Sequence, residues 1–157
     1  MAKGTVVTGG CLCGAVRYEA HGPRLDGLDG IVCHCRMCQR ASGGAFMALF
    51  YMPAARVRLT RGEVSVYRSS AEVERRFCAR CGSPLFFDRT NRPDRRAIFV
   101  GSLDDPNDFA PAVQVCVSST VEWLERLGAA EAFAEKPAGM TPTLAYDPAT
   151  GRATPRT

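Results

Sequence analysis

Apolar residues along this chain come in short runs that are repeatedly cut by Gly, Pro, Asp or Asn, at intervals of roughly ten residues. That cadence predicts strands over residues 15–20, 30–33, 45–52, 57–60, 64–69, 73–77, 85–87, 98–101 and 113–117. The runs at 64–69 and 73–77 flank Ser70-Ala71-Glu72, a loop short enough for a hairpin, and the second arm leads straight into Cys78. Helix is scarce. Residues 36–41 can make one turn, and 121–127 place Val121, Leu124 and Leu127 on one face with Gly128 as a C-cap. The stretches around His21-Gly22-Pro23 and Asn91-Arg92-Pro93 read as loops, and residues from Lys136 onward are too rich in Pro, Thr and Gly for a regular element. The expectation is a mainly β single domain with few short helices over 1–135. An irregular tail, 136–157, would pack on it or extend from it.

Composition refines this. A chain of 157 residues, 46% hydrophobic, can bury roughly 70% of its unfolded surface in one core. The first ten residues lack an apolar stretch of seven or more, and no run approaches the roughly 18 apolar residues of a membrane span. A cytoplasmic location follows as the expectation.

Seven of the eight cysteines lie in three tight clusters: Cys11-Leu12-Cys13, Cys33-His34-Cys35-Arg36-Met37-Cys38 and Cys78-Ala79-Arg80-Cys81. In a reducing cytosol metal ligation suits them better than disulfides, and cysteines one residue apart make strained disulfide partners. The number seven divides into a closed four-ligand zinc site and a three-ligand one, the signature of a structural centre beside a catalytic one. Loading also changes the charge. The formal +4 counts every thiol as neutral, and seven thiolates with two zinc ions lower it to about +1, which weakens a nucleic-acid reading.

Cys13 and Cys81 are each followed by glycine, which takes the positive φ angles of a zinc knuckle. These matching cues suggest that Cys11, Cys13, Cys78 and Cys81 close one site, although each glycine is also an ordinary turn residue. Cys33, Cys35 and Cys38 then stand without a fourth cysteine nearby. His34, His21 and Cys116 are candidates for the gap. His34, between two ligands, is expected to point away; His21 sits in a loop; and Cys116 alternates with valines like a small buried hydrophobe. An open coordination position is the expectation. Three thiolates on Zn²⁺ make a weak Lewis acid, better suited to accepting a substrate thiol that attacks an electrophilic carbon, or leaves it, than to ionising water. A zinc-deaminase reading fails because there is no His-x-Glu and Phe77 rather than proline precedes Cys78.

The pattern Gly10-Cys-x-Cys-Gly-x-Val-x-Tyr18, then Cys33-His-Cys-x-x-Cys38-Gln-x-x-x-Gly43, then Val66-Tyr-x-Ser-Ser-x(6)-Phe77-Cys-x-x-Cys-Gly-Ser83 resembles the glutathione-dependent formaldehyde-activating family, which also includes centromere protein V. The likeness runs from about Gly9 to Trp123. It implies a β-tent, a zinc-ribbon-like all-β fold, with a structural zinc on Cys11, Cys13, Cys78 and Cys81 and a catalytic zinc on Cys33, Cys35 and Cys38. It also implies a carbon–sulfur lyase or synthase of the S-(hydroxymethyl)glutathione type, with glutathione and formaldehyde or a related small aldehyde as partners. One departure is that many relatives carry histidine where this chain has Gln114.

Glutathione brings two carboxylates, for which Arg36 and Arg40 beside the open site, and Arg75, Arg76 and Arg80 around the third cluster, are candidates. Ser42 and Gly43, with Gly44, can offer backbone N–H donors or form a simple turn. Phe46, Phe50, Phe86, Phe87 and Phe99 read as core. The rival reading is a non-catalytic zinc-binding module for nucleic acid or protein, which the scattered arginines support less well. A monomer or homodimer is expected.

Overall fold

The computed structural model describes residues 6–25, 30–134, 136–137, 139–140, 144–147 and 152–155. Its elements in chain order are β1 (Val6–Gly10), β2 (Arg17–His21), β3 (Ile31–Cys33), α1 (Arg36–Ser42), β4 (Met47–Pro53), β5 (Val57–Arg61), β6 (Ser65–Ser70), β7 (Val73–Phe77), β8 (Pro84–Arg89), β9 (Arg95–Phe99), β10 (Val113–Val115), β11 (Leu144–Asp147) and β12 (Arg152–Pro155), with short 3-10 turns between them. The mainly β expectation holds.

Strands β1, β2 and β5 form a three-stranded antiparallel sheet, and a seven-stranded sheet runs in the order β10-β3-β4-β9-β8-β7-β6. Within the larger sheet β10 pairs parallel with β3, while β3, β4, β9, β8, β7 and β6 pair antiparallel in turn. The predicted hairpin is the β6–β7 pair, with Tyr67 opposite Arg75.

Strand β4 explains how the layers assemble. Its sequence, Met47-Ala-Leu-Phe-Tyr-Met52, is apolar without interruption because both of its faces are covered. Phe50 and Met52 join Val7, Val16, Tyr18, Leu85, Phe86 and Ile98 in the core between the two sheets. Met47 and Leu49 point the other way and pack with Ile31, Cys33, Cys38, Ala97 and Phe99. This second cluster is the floor on which three of the cysteines rest.

Several elements differ from the sequence expectation. β1 is a strand the sequence pattern does not predict, since it ends in two glycines, residues depleted in strands. In fact the glycine is a packing requirement: a Cβ on Gly9 would lie 2.3 Å from the Ser102 carbonyl oxygen and the Tyr18 hydroxyl. The segment expected as a helix over 121–127 is a 3-10 run, Glu122–Ala129, that ends at Ala130 rather than at a Gly128 cap. Trp123 and Leu127 are exposed there and Val121 and Leu124 only half-buried, so the apolar face gains little of the packing that normally stabilises an α-helix. The strand expected over 98–101 is displaced to Arg95–Phe99, and Val100–Ser102 forms a 3-10 turn. The strand expected to reach Val117 stops at Val115, because Cys116 takes a left-handed conformation (φ 57°, ψ 39°). The tail contains a hairpin, β11–β12, where no regular element was expected; its two runs are separated by four residues, a hairpin spacing. Residues 136–137 and 139–140 are in no regular element, and the remaining positions of that tail lie outside the described residues. Phe46 is not core: it is 37% exposed and tilts against the His34 ring at 5.9 Å.

Candidate metal centres and the groove beside them

The first cysteine pair sits in the turn that follows β1, the third in the turn that follows β7. Each turn closes through glycine. Gly14 N–H donates to Cys11 O (3.0 Å) and Gly82 N–H to Cys78 O (2.8 Å), with φ of 70° and 75°, the knuckle geometry that the sequence cues suggested. These turns bring the sulfurs of Cys11, Cys13, Cys78 and Cys81 within 4.8 Å of one another. Cys11 Sγ lies 3.6 Å from Cys13 Sγ, and Cys13 Sγ lies 3.8 Å from Cys78 Sγ. A tetrahedral ion with sulfurs at about 2.3 Å sets them about 3.8 Å apart, so the group fits zinc.

Backbone and hydroxyl donors surround these sulfurs. Val16 N–H points at Cys11 Sγ (3.2 Å), and Ser83 Oγ is 3.2 Å from Cys81 Sγ while accepting from Leu12 N–H (3.0 Å). Burial raises the Cys81 pKa, but bonds from Ser83 and from the Cys13 backbone outweigh it and bring the thiol down to about 6. Burial pushes Cys78 up to about 11. A cation among four such groups favours the thiolate form in all of them.

The middle cluster is built differently. Cys33 ends β3, and Cys35 is the N-cap of α1, its Sγ accepting from Cys38 N–H at 3.4 Å. The cap and the first helical turn fold Cys38 back, so the sulfurs of Cys33, Cys35 and Cys38 also lie within 4.8 Å of one another. Burial raises Cys35, yet the N–H groups of Cys38 and Met37 together with the neighbouring thiols reverse this and lower it, whereas burial raises Cys33 and Cys38. Both cysteine groups can therefore hold a metal ion, one with four sulfurs and one with three. All eight cysteines are free thiols.

None of the three candidates for a fourth ligand joins the trio's sulfur group. His34 is turned to the opposite side, as its place between two ligands implied: it is buried, and its Nε2 pairs with Gln114 Oε1 at 2.8 Å. His21 Nε2 pairs with Glu19 Oε1 at 2.8 Å. Cys116 is exposed, not the buried hydrophobe expected of it, because β10 lies at the edge of the large sheet and every residue of it is exposed. It nevertheless lines a cavity of about 380 Å³ together with Cys33, Cys35, Cys38, Tyr51, Arg75 and Arg89. Tyr51 and Arg89 escaped the sequence reading. The signal available was strand alternation, which puts Tyr51 on the same side of β4 as Met47 and Leu49, and Arg89 on the same side of β8 as Phe87.

The four residues expected to meet substrate are spread out. Arg40 lines a second cavity of about 510 Å³ that adjoins the first through Met37, Ser69 and Arg75. Arg36 donates to Gln39 Oε1 within α1. Ser42 Oγ donates to Phe46 O (3.0 Å), and Gly43 is the helix C-cap at φ 71°, its N–H donating to Gln39 O. Arg76 faces away from the trio and pairs with Glu74 and Asp88, and Arg80 is exposed on the third cluster's turn.

The architecture defines a class: a small β domain whose two cysteine groups, one of four and one of three, are set by tight turns against a shared sheet. Sequence comparison gives the family. The model of the glutathione-dependent formaldehyde-activating enzymes matches residues 6–119, and the chain belongs to that family. A Halomonas elongata protein named "Putative glutathione-dependent formaldehyde-activating enzyme" is 26% identical over 128 residues, covering 76% of this chain and 80% of that protein. An uncharacterized lyase of Schizosaccharomyces pombe is 35% identical over 111 residues, covering 69% of this chain and 77% of that protein. A crystal structure of a Rhodobacter sphaeroides protein superposes with a TM-score of 0.55 at 24% identity, covering 69% of this chain and 99% of that one, and so shares the fold.

Proposed function

We propose that this protein is a zinc-dependent carbon–sulfur lyase or synthase acting on aldehyde adducts of glutathione-type thiols, in the manner of S-(hydroxymethyl)glutathione synthase. The observation that carries this reading is the Cys33, Cys35 and Cys38 sulfur group, opening on a cavity of about 380 Å³ with no fourth ligand in the group among the described residues. Family membership and the names of the two relatives support the same chemistry.

In this reading Cys11, Cys13, Cys78 and Cys81 hold a structural zinc, and Cys33, Cys35 and Cys38 hold a catalytic one. Zinc at the trio would supply a site where a substrate thiol ionises near neutral pH. The protein does the rest. Tyr51 lines the cavity, and burial raises its pKa, so the phenol stays protonated and can donate to an oxygen of the aldehyde or its adduct. In the synthetic direction the thiolate sulfur attacks the carbonyl carbon, the C–S bond forms as the C=O π bond breaks, and the oxygen takes up a proton. Cleavage reverses each step. Arg40 lies where it can meet a substrate carboxylate, and it is carried by helix α1, which begins at Arg36 and ends at Ser42 with Gly43 as its C-cap.

The ion pairs on the sheet favour this over a nucleic-acid module. Arg76 and Arg96 are neutralised by Asp88 and Glu74, Arg17 by Asp104, and Arg58 by Glu19, which removes much of the basic patch such a module needs. Free thiolates as ligands suit a reducing compartment, and we place the protein in the cytoplasm.

The test is metal analysis paired with mutation. Wild type should carry two zinc equivalents, and glutathione should change the X-ray absorption signature of one of them. Cys35→Ser should lose one equivalent and all turnover of formaldehyde with glutathione while keeping the wild-type circular dichroism, and Cys11→Ser should lose the fold. Equal structural damage from both substitutions, or no response to glutathione at full occupancy, rejects the reading.

A further inference from the structure

Two arginines line the trio's cavity: Arg89, exposed and 3.9 Å from Glu72 Oε2, and Arg75, whose setting differs from that of the arginines beside it on β7 and β9. On β7, Arg76 gives Nη2 to Glu74 Oε2 (2.9 Å) and Nε to Asp88 Oδ2 (2.5 Å), and Arg96 on β9 completes the same network with Asp88 at 2.9 Å. These cations are neutralised within the fold. Arg75, the next residue along, projects to the opposite side of the strand. Its Nε donates to Ser69 Oγ (3.2 Å), and its guanidinium carbon sits 5.3 Å from the centre of the Phe87 ring. Its Nη1 is buried and has no hydrogen-bond partner.

A buried guanidinium N–H without an acceptor costs free energy unless something else satisfies it. Everything around Arg75 fixes its position: the β7 backbone, the Ser69 hydroxyl and the Phe87 face hold the fork in one place. Its place matters as much as its state. Arg75 lines the cavity of Cys33, Cys35 and Cys38, and also the adjoining cavity of Arg40 and Tyr67. A thiol whose sulfur lies at the trio must run past this guanidinium to occupy the rest of the groove.

We propose that Arg75 is the specificity residue of the groove, receiving a carboxylate of the thiol substrate on its unsatisfied edge while the sulfur lies at Cys33, Cys35 and Cys38. The inference rests on the carbon–sulfur reading and adds what that reading leaves open: the thiol is selected for its negative charge. A planar fork that is already oriented forms charge-assisted bonds to a carboxylate with little further loss of side-chain freedom. Small neutral thiols reach the sulfurs but leave the Nη1 unsatisfied.

The experiment compares the zinc-loaded wild type with Arg75→Gln and Arg75→Lys, titrated by calorimetry with glutathione and with its diethyl ester, which keeps the thiol and loses both carboxylates. Wild type should bind glutathione at least tenfold more tightly than the diester. In Arg75→Gln that preference should collapse toward unity, and Arg75→Lys should restore part of it; where Arg75→Gln fails to fold, the Arg75→Lys preference, expected below wild type, decides. A wild-type preference kept in full by both variants overturns the assignment of Arg75 and leaves the carbon–sulfur reading standing. A wild type that responds to neither ligand at full metal occupancy overturns both.

Discussion

Neighbouring residues of one type take opposite roles here, and alternation along a strand is the reason. Arg75 and Arg76 differ by one position on β7, so one meets the cysteine-lined cavity and the other an acidic network. At the same scale, Gly9 shows a glycine required by contact and not by φ. Gly9→Ala should destabilise the protein by about 1–3 kcal/mol, since the new methyl meets a backbone carbonyl that cannot withdraw. A urea titration of the metal-loaded protein checks this; a midpoint equal to wild type would contradict the packing described. Residue chemistry was the most legible layer of the sequence. The spacing of the cysteines predicted both sulfur groups, and the glycines after Cys13 and Cys81 predicted the knuckles. Cys116 was misread because a left-handed residue at a strand end leaves no trace in an alternating Val-x-Val pattern.

At the scale of elements, strands with both faces covered read clearly, and those that depend on a distant partner did not. β4 is apolar throughout and reads as a strand; in β1, Gly9 is required by Tyr18 and the distant Ser102, and Gly10 by the Val16 carbonyl and the Arg17 side chain. The 3-10 run at Glu122–Ala129 has a helical pattern but only Leu124 half-buried, with too little surface against it to fix an α-helix, which a pattern cannot reveal. The small sheet is also tied by charge to the turn after β9. Asp104 accepts from Arg17 Nη1 on β2 (2.8 Å) and from Thr8 Oγ1 on β1 (2.7 Å). The bonds from Arg17, with that from Thr8 behind them, hold its carboxyl below the usual carboxylate range. A depressed folded-state pKa means that its contribution is complete above the ordinary value near 3.9 and is lost as pH falls through the lower one. Asp104→Asn should therefore cost about 1–2 kcal/mol at pH 6, and the gap to wild type should begin to narrow only as pH falls below about 4. Denaturant midpoints of the two proteins across that range measure it; a gap independent of pH would exclude the ion pair as its source.

The whole molecule separates two kinds of sulfur site. The four-sulfur group joins the turn after β1 to the turn after β7 and so links the two sheets, whereas the trio lies within one local segment on top of the second core. Under the proposed metal assignment, a strong chelator should remove one zinc quickly from the trio and the second slowly. The thermal midpoint should hold after the first loss and fall by several degrees or more after the second. A metal-sensitive dye followed alongside differential scanning fluorimetry records both; simultaneous loss would make the two sites equivalent.

Cys13 and Cys78, whose sulfurs lie 3.8 Å apart, are separated by 65 positions in the chain. On a ribosome, therefore, the first two donors emerge while the second pair has yet to be synthesised, and an ion captured early would wait half-dressed and exchangeable. Under the proposed metal assignment, maturation would be timed by the emergence of the turn after β7, and a chain cut short before Cys81 would lose a ligand of its structural ion and the clasp between its sheets in one event.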